Sequence, residues 1–167
     1  TGRGSKGRIK YCRTGFTIKP MTLEEFRQIH NRYRQEKPKL FLLASPDRRA
    51  TEAQLQKVES ELGVKLSAQL REFLTDFGGG TFGFANVFSA DSDGEFYLPE
   101  KNKEAAEYLP PGLLAFSDDF AGGYYVLRVT DGRADAPVFY WNSDGGLVET
   151  EFDDVLQFVA RYAYEPA

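Results

Sequence analysis

The sequence predicts an α+β domain, an antiparallel sheet meander packed with N-terminal helices and closed by a C-terminal helix. Three observations carry this. Apolar residues recur at helical spacing as far as Gly78, the period falls to two beyond Gly80, and helical spacing returns after Phe152. Residues 1–20 read as a basic, flexible N-terminal segment, native or left by cloning, and residues 21–167 as one domain.

Residues 22–36 read as the first helix. Thr22 and Glu25 have capping-box spacing, and Leu23, Phe26, Ile29 and Tyr33 form one stripe. Pro38 ends it, residues 40–44 read as a short buried strand or extended connector, and residues 46–48 as a turn. A second helix starts at Thr51, capped with Gln54, and stops at Gly63, a residue free to turn left-handed. Ser67 caps a third, with Leu70, Phe73, Leu74 and Phe77 on one face, and Gly78 to Gly80 end it. Residues 81–88 and 95–98 read as strands joined by an acidic turn at residues 91–94, and residues 101–108 as a short helix. Residues 113–116, 124–129 and 138–141 are further strands, separated by hairpin signals at Asp131-Gly132 and at residues 142–146, with a short strand at 147–149. Residues 152–164 form the closing helix, burying Phe152, Val155, Leu156, Val159 and Ala163.

Hydrophobic residues make up 41% of the 167 residues, and 14 Phe and 9 Tyr supply a core rich in rings. The single cysteine, Cys12, excludes an intrachain disulfide and fits a reducing compartment. No apolar run approaches the roughly 20 residues of a membrane helix, so a cytoplasmic protein is expected. The net charge of −4 hides an uneven division. Residues 1–50 carry 13 Lys+Arg against 4 Asp+Glu, and residues 51–167 carry 8 against 21. An acidic body repels nucleic acid and anionic membranes and attracts basic surfaces, so neither nucleic acid nor membrane is expected as a partner.

Catalytic chemistry is sparse. His30, the one histidine, lies on the first helix and reads as a partly buried or surface residue rather than a base. Cys12 has no second group to complete a nucleophile site, and no metal or cofactor site is expected. Gly78-Gly79-Gly80-Thr81-Phe82-Gly83 has the letters of a dinucleotide fingerprint. A helix precedes it and a strand follows, the reverse of what a pyrophosphate site needs. Residues 91–95 resemble the start of a calcium loop but have Phe96 and Asn102 where Gly and Glu are required, and read as solvated turn carboxylates. Asp153-Asp154 falls in the first turn of the last helix, where negative charge suits the dipole. Asp118-Asp119, before Gly122-Gly123, has no such structural account and is open to a binding role.

Residues 58–80, VESELGVKLSAQLREFLTDFGGG, resemble the SUKH superfamily, which includes bacterial immunity proteins and fungal cell-wall synthesis regulators. The family's Glu-x-x-Leu-Gly helix end is similar to Glu59, Leu62 and Gly63. Its Leu-Pro step is similar to Leu66, its Phe-Leu pair to Phe73-Leu74, and its glycine turn to Gly79-Gly80. Leu114-Ala115-Phe116 with Asp118-Asp119 and Gly122, residues 137–141 and residues 152–158 are similar to later family segments. Ser67 in place of Pro and Phe77 in place of Asn are local departures. The resemblance covers residues 51–164.

The resemblance implies binding without catalysis: an immunity protein that neutralises a cognate bacterial polymorphic toxin, with no small-molecule substrate. An acidic surface fits the basic phosphate cleft of a nuclease-type toxin and blocks its substrate. Candidate contacts are Asp91, Asp93, Glu95, Asp118 and Asp119, with Tyr124, Tyr125 and Trp141 as aromatic anchors or core rings. The alternative is an intracellular scaffold or regulator of the fungal type.

Overall fold

The computed structural model describes residues 19–42 and 46–166. The elements in chain order are α1 (Leu23–Glu36), α2 (Pro38–Leu42), α3 (Glu52–Leu62), α4 (Ala68–Phe77), β1 (Gly80–Phe82), β2 (Ala85–Val87), α5 (Leu98–Ala105), β3 (Leu113–Asp118), β4 (Tyr124–Thr130), β5 (Arg133–Asn142), β6 (Gly146–Glu149) and α6 (Val155–Tyr162). The α+β class stands. Cys12 and the rest of residues 1–18 lie outside the described residues.

Local chemistry sets the helix ends. In α1 the Glu25 amide donates to Thr22 Oγ1 while the Thr22 amide donates to the Glu25 carboxylate, so two orphan donors are satisfied at once. Thr51 and Gln54 repeat this at α3, and Gly63 closes that helix at φ 69°. Glu59, buried on α3, accepts the Leu66 amide at 2.9 Å and pairs with Arg71 on α4. Glu59 thereby fixes the step from α3 into α4. Residues 40–42, expected as strand or connector, are the end of α2. Pro38 needs no N–H at a helix's first position, and non-helical Lys37 separates α1 from α2. Residues 43 and 44 lie outside the described residues. The Gly78–Gly80 run gives passage to residues 46–48. The Asp47 amide donates to Gly79 O at 2.9 Å, and a methyl on Gly78 would overlap the Asp47 carbonyl oxygen.

The strands form two antiparallel sheets, a β1-β2 pair and a four-stranded meander in the order β3-β4-β5-β6. Two strand expectations need correction. Residues 81–88 do not run straight: they fold back at Gly83-Phe84, so that Phe82 pairs with Ala85. Residues 95–98 are not a strand. Asp91 draws in the backbone of Asp93, the segment folds on itself, and Leu98 opens α5, leaving one parallel bridge between Ser89 and Tyr97. The pair of strands is fastened to the meander by Phe88 N to Phe116 O (2.8 Å) and by the Ser117 hydroxyl to Asn86 O. Asp131 and Gly132 both have positive φ, 52° and 74°, the turn a two-residue hairpin prefers.

The closing helix α6 has Asp154 as its N-cap. Its Oδ1 accepts the Gln157 amide at 2.8 Å and its Oδ2 accepts the Met21 amide at 2.9 Å, which ties the start of α1 to the start of α6. Asp153 precedes the helix rather than lying in its first turn. Phe26, Phe73, Phe77, Phe82 and Tyr164 interlock between α1, α4, β1 and the segment after α6, with ring centroids 5.1 to 6.4 Å apart in mostly edge and tilted contacts. Phe158 joins α6 to the meander through Phe116 (5.1 Å) and Tyr125 (4.5 Å).

Candidate functional site

Between β3 and β4 the chain turns through residues 119–123, and Asp119 holds that turn. Its Oδ1 accepts the amides of Ala121 (2.8 Å) and Gly123 (2.7 Å), while the Tyr140 hydroxyl on β5 donates to its Oδ2. Burial acts to raise this carboxyl's pKa. The Tyr140 hydroxyl and the two amides outweigh burial and hold it below the usual aspartate value. The contribution to stability is therefore present above about pH 4 and lost as pH falls further. Within this clamped turn Phe120 has φ 64° and is 70% exposed. A bulky residue in the left-handed region carries strain of about 1–3 kcal/mol, which persists only where the surroundings over-determine it. Asp119→Ala is expected to lower stability by about 1–2 kcal/mol and to free residues 119–123 for proteolysis, measured by urea denaturation and limited digestion.

Facing Phe120 is the β1-β2 turn. The Phe84 amide donates to Ala163 O at 2.7 Å, and Phe84 is 46% exposed. Phe84 and Phe120 border a cleft of about 70 Å³ whose walls include Tyr125, Phe158 and Tyr162, with Asp118 as its charged group. The Asn86 amide nitrogen donates to Asp118 Oδ1 at 2.9 Å. This joins two exposed aromatic rings and one carboxylate on rigid elements, the composition of an interface hot spot.

The structure divides the sequence-derived contact residues between two places. Asp118, Asp119 and Tyr124 lie at the end of β3, in the clamped turn and at the start of β4. Tyr124 is half-buried, and burial, then Glu104 and Asp118, push its hydroxyl pKa up. Trp141 is its cross-strand partner and is buried, so it packs rather than anchors. Tyr125 turns to the opposite face, against Phe158. Asp91, Asp93 and Glu95 form the second group. Asp91 is only 6% exposed and accepts Arg48 Nη2 at 2.7 Å, Arg48 Nε at 3.1 Å and the Arg48 amide at 3.0 Å. Those bonds to Arg48 hold its carboxyl far below the usual range against the opposing effect of burial. Asp91 is thus an internal fastener, not a surface open to a partner. Asp93 is exposed but shares the same guanidinium at 2.5 Å, and Glu95 is exposed.

Sequence reasoning missed Phe84 and Phe120. The available signal was local: each is a bulky ring within a glycine-bearing turn, beside Gly83 and before Gly122-Gly123. A further cavity of about 600 Å³ opens between α1, α4 and residues 46–49, with His30 and Phe82 deep in it and Arg27, Arg34, Arg48 and Arg49 around it. Arg27 is paired there with Asp76 at 2.6 Å, and Arg48 with Asp91. Among the described residues, no group of three His, Cys, Asp or Glu is placed to hold a metal ion, and no helix is long and apolar enough to cross a membrane.

No curated protein matches the chain. The segment that bears the clamped Asp119 turn, the Phe84 turn and the buried Glu59 does match a family model, over residues 49–161, and the chain belongs to the SMI1 / KNR4 family (SUKH-1).

Proposed function

We propose that this chain is an immunity protein, which binds and neutralises a cognate bacterial polymorphic toxin of basic, nuclease type in the cytoplasm, without catalysing a reaction. The observation that carries this reading is the Phe120 turn. A strained, exposed aromatic ring is braced beside carboxylates, in a chain whose family includes toxin immunity proteins. Such a ring serves burial against another protein, and the acidic balance of residues 51–167 speeds encounter with a basic one. The acids on offer are Asp118, Asp93 and Glu95, with Asp119 shaping the turn.

The test is co-expression with the toxin encoded beside this gene. Cells are expected to survive, and the two proteins to co-elute on gel filtration. Unabated killing together with separate elution overturns the reading. Recovery of several unrelated partners in place of one toxin favours the scaffold alternative.

A further inference from the structure

We infer that the cleft between Phe84 and Phe120 is a seat for one arginine side chain of the protein partner. The inference rests on the immunity reading for who that partner is, and on the cleft itself for the chemistry. The walls are aromatic rings from three elements, Phe84 of the β1-β2 turn, Tyr125 of β4 and Phe158 of α6, closed by Phe120. Asp118 is the charged residue among them, and no basic residue lines the cleft to neutralise it. Its Oδ1 is occupied by Asn86, and its second oxygen has no hydrogen bond among the described residues. Asn86, 4% exposed, holds the Asp118 side chain in place through that bond.

The site therefore presents one carboxylate oxygen without a hydrogen bond among the described residues, set among rings and the hydroxyls of Ser117, Tyr125 and Tyr162. An apolar side chain filling it would leave the second oxygen of a charged carboxylate desolvated without a partner, which is costly. A guanidinium answers every feature at once. It is flat and stacks on rings, it carries five donors, and it keeps its charge at any relevant pH. A lysine ammonium brings the charge but neither the plane nor the fork. The volume of about 70 Å³ suits the head of one side chain rather than a drug-sized ligand.

The test is an amide proton–nitrogen NMR titration of the full chain with N-acetyl-L-arginine amide, against the isosteric neutral N-acetyl-L-citrulline amide. The arginine compound is expected to shift the Phe84, Phe120 and Tyr125 signals saturably, with Kd in the millimolar range typical of one side chain, on the order of −4 kcal/mol. Citrulline amide is expected to bind at least about tenfold more weakly, as is arginine amide to Asp118→Asn, both losing the charge-assisted bond. Phe120→Ala, which changes an exposed ring and leaves the core intact, gives a second loss without a folding defect. Equal responses to the two compounds, or unchanged arginine binding in both variants, overturn the inference. Binding that appears only after residues 1–18 are removed assigns the seat to the chain's own arginines and overturns the partner assignment. Neutralisation of the toxin without any arginine preference sinks this inference alone, and arginine binding without neutralisation sinks the immunity reading alone.

Discussion

Gly83→Ala is expected to destabilise the fold by at least about 3 kcal/mol, while Gly132→Ala, at a similar backbone angle, is expected to lower stability by only about 1–2 kcal/mol. Both glycines have positive φ, 60° and 74°. They differ in what a methyl group would meet. At Gly132 nothing lies within 4 Å, so only the left-handed conformation is penalised. At Gly83 the new carbon would overlap the backbone carbonyl of Ala163. That carbonyl also accepts the Phe84 amide, so relieving the overlap breaks the bond that docks the β1-β2 turn on the end of α6. On the proposed immunity reading the variant also loses toxin neutralisation, because Phe84 forms one side of the cleft. Urea denaturation of the two variants beside wild type measures the difference. Equal losses would show that the turn is free to move away from α6 and that the contact with Ala163 does not fix Phe84.

The features legible in the sequence are those whose chemistry is local. Thr22 with Glu25, and Thr51 with Gln54, are three residues apart, and Gly63 and Asp131-Gly132 act where they stand, so spacing alone identified caps and turns. Fasteners between distant segments left no such trace. Arg48 and Asp91 are separated by 43 positions, and nothing around either residue announces the other. That pair also changes the meaning of the charge division. Residues 1–50 and 51–167 carry opposite excess charge, yet Arg27 and Arg48 of the first part are bonded to Asp76 and Asp91 of the second. Part of the acidity is thus neutralised inside the fold, and the acids left for a partner are fewer than the sequence suggests. Phe84 and Phe120 escaped because most of the 14 Phe are core rings, and only their exposure, with the positive φ of Phe120, sets these two apart.

Acidification from pH 7 towards pH 4 is expected to remove on the order of 3 kcal/mol of stability through His30 alone. This ring is 9% exposed, stacked on Phe82 and edge-on to Phe41 and Phe77, with the Tyr164 hydroxyl 3.0 Å from Nδ1. Burial first, then the positive charges of Arg34 and Arg27, lower its pKa from 6.5 to about 4. The sign follows from proton counts. Between about pH 6.5 and 4 the unfolded chain binds a proton at this site and the folded chain does not, so stability is full above 6.5 and falls as pH drops through the window. The acids with lowered pKa, Glu25, Glu52, Asp91 and Asp119, start from ordinary carboxylate values of about 4 and so act from the acidic end of this range downward, and His30 is the single histidine of the sequence. Asp47, beside the same cavity, runs the other way. Burial raises its pKa, so its protonation in the folded state offsets part of the loss near the acidic end. His30→Gln should be less stable than wild type at pH 7 and should lose the slope between pH 6.5 and 4. A slope that survives the substitution would move the acid sensitivity elsewhere and leave the histidine a packing residue without linkage.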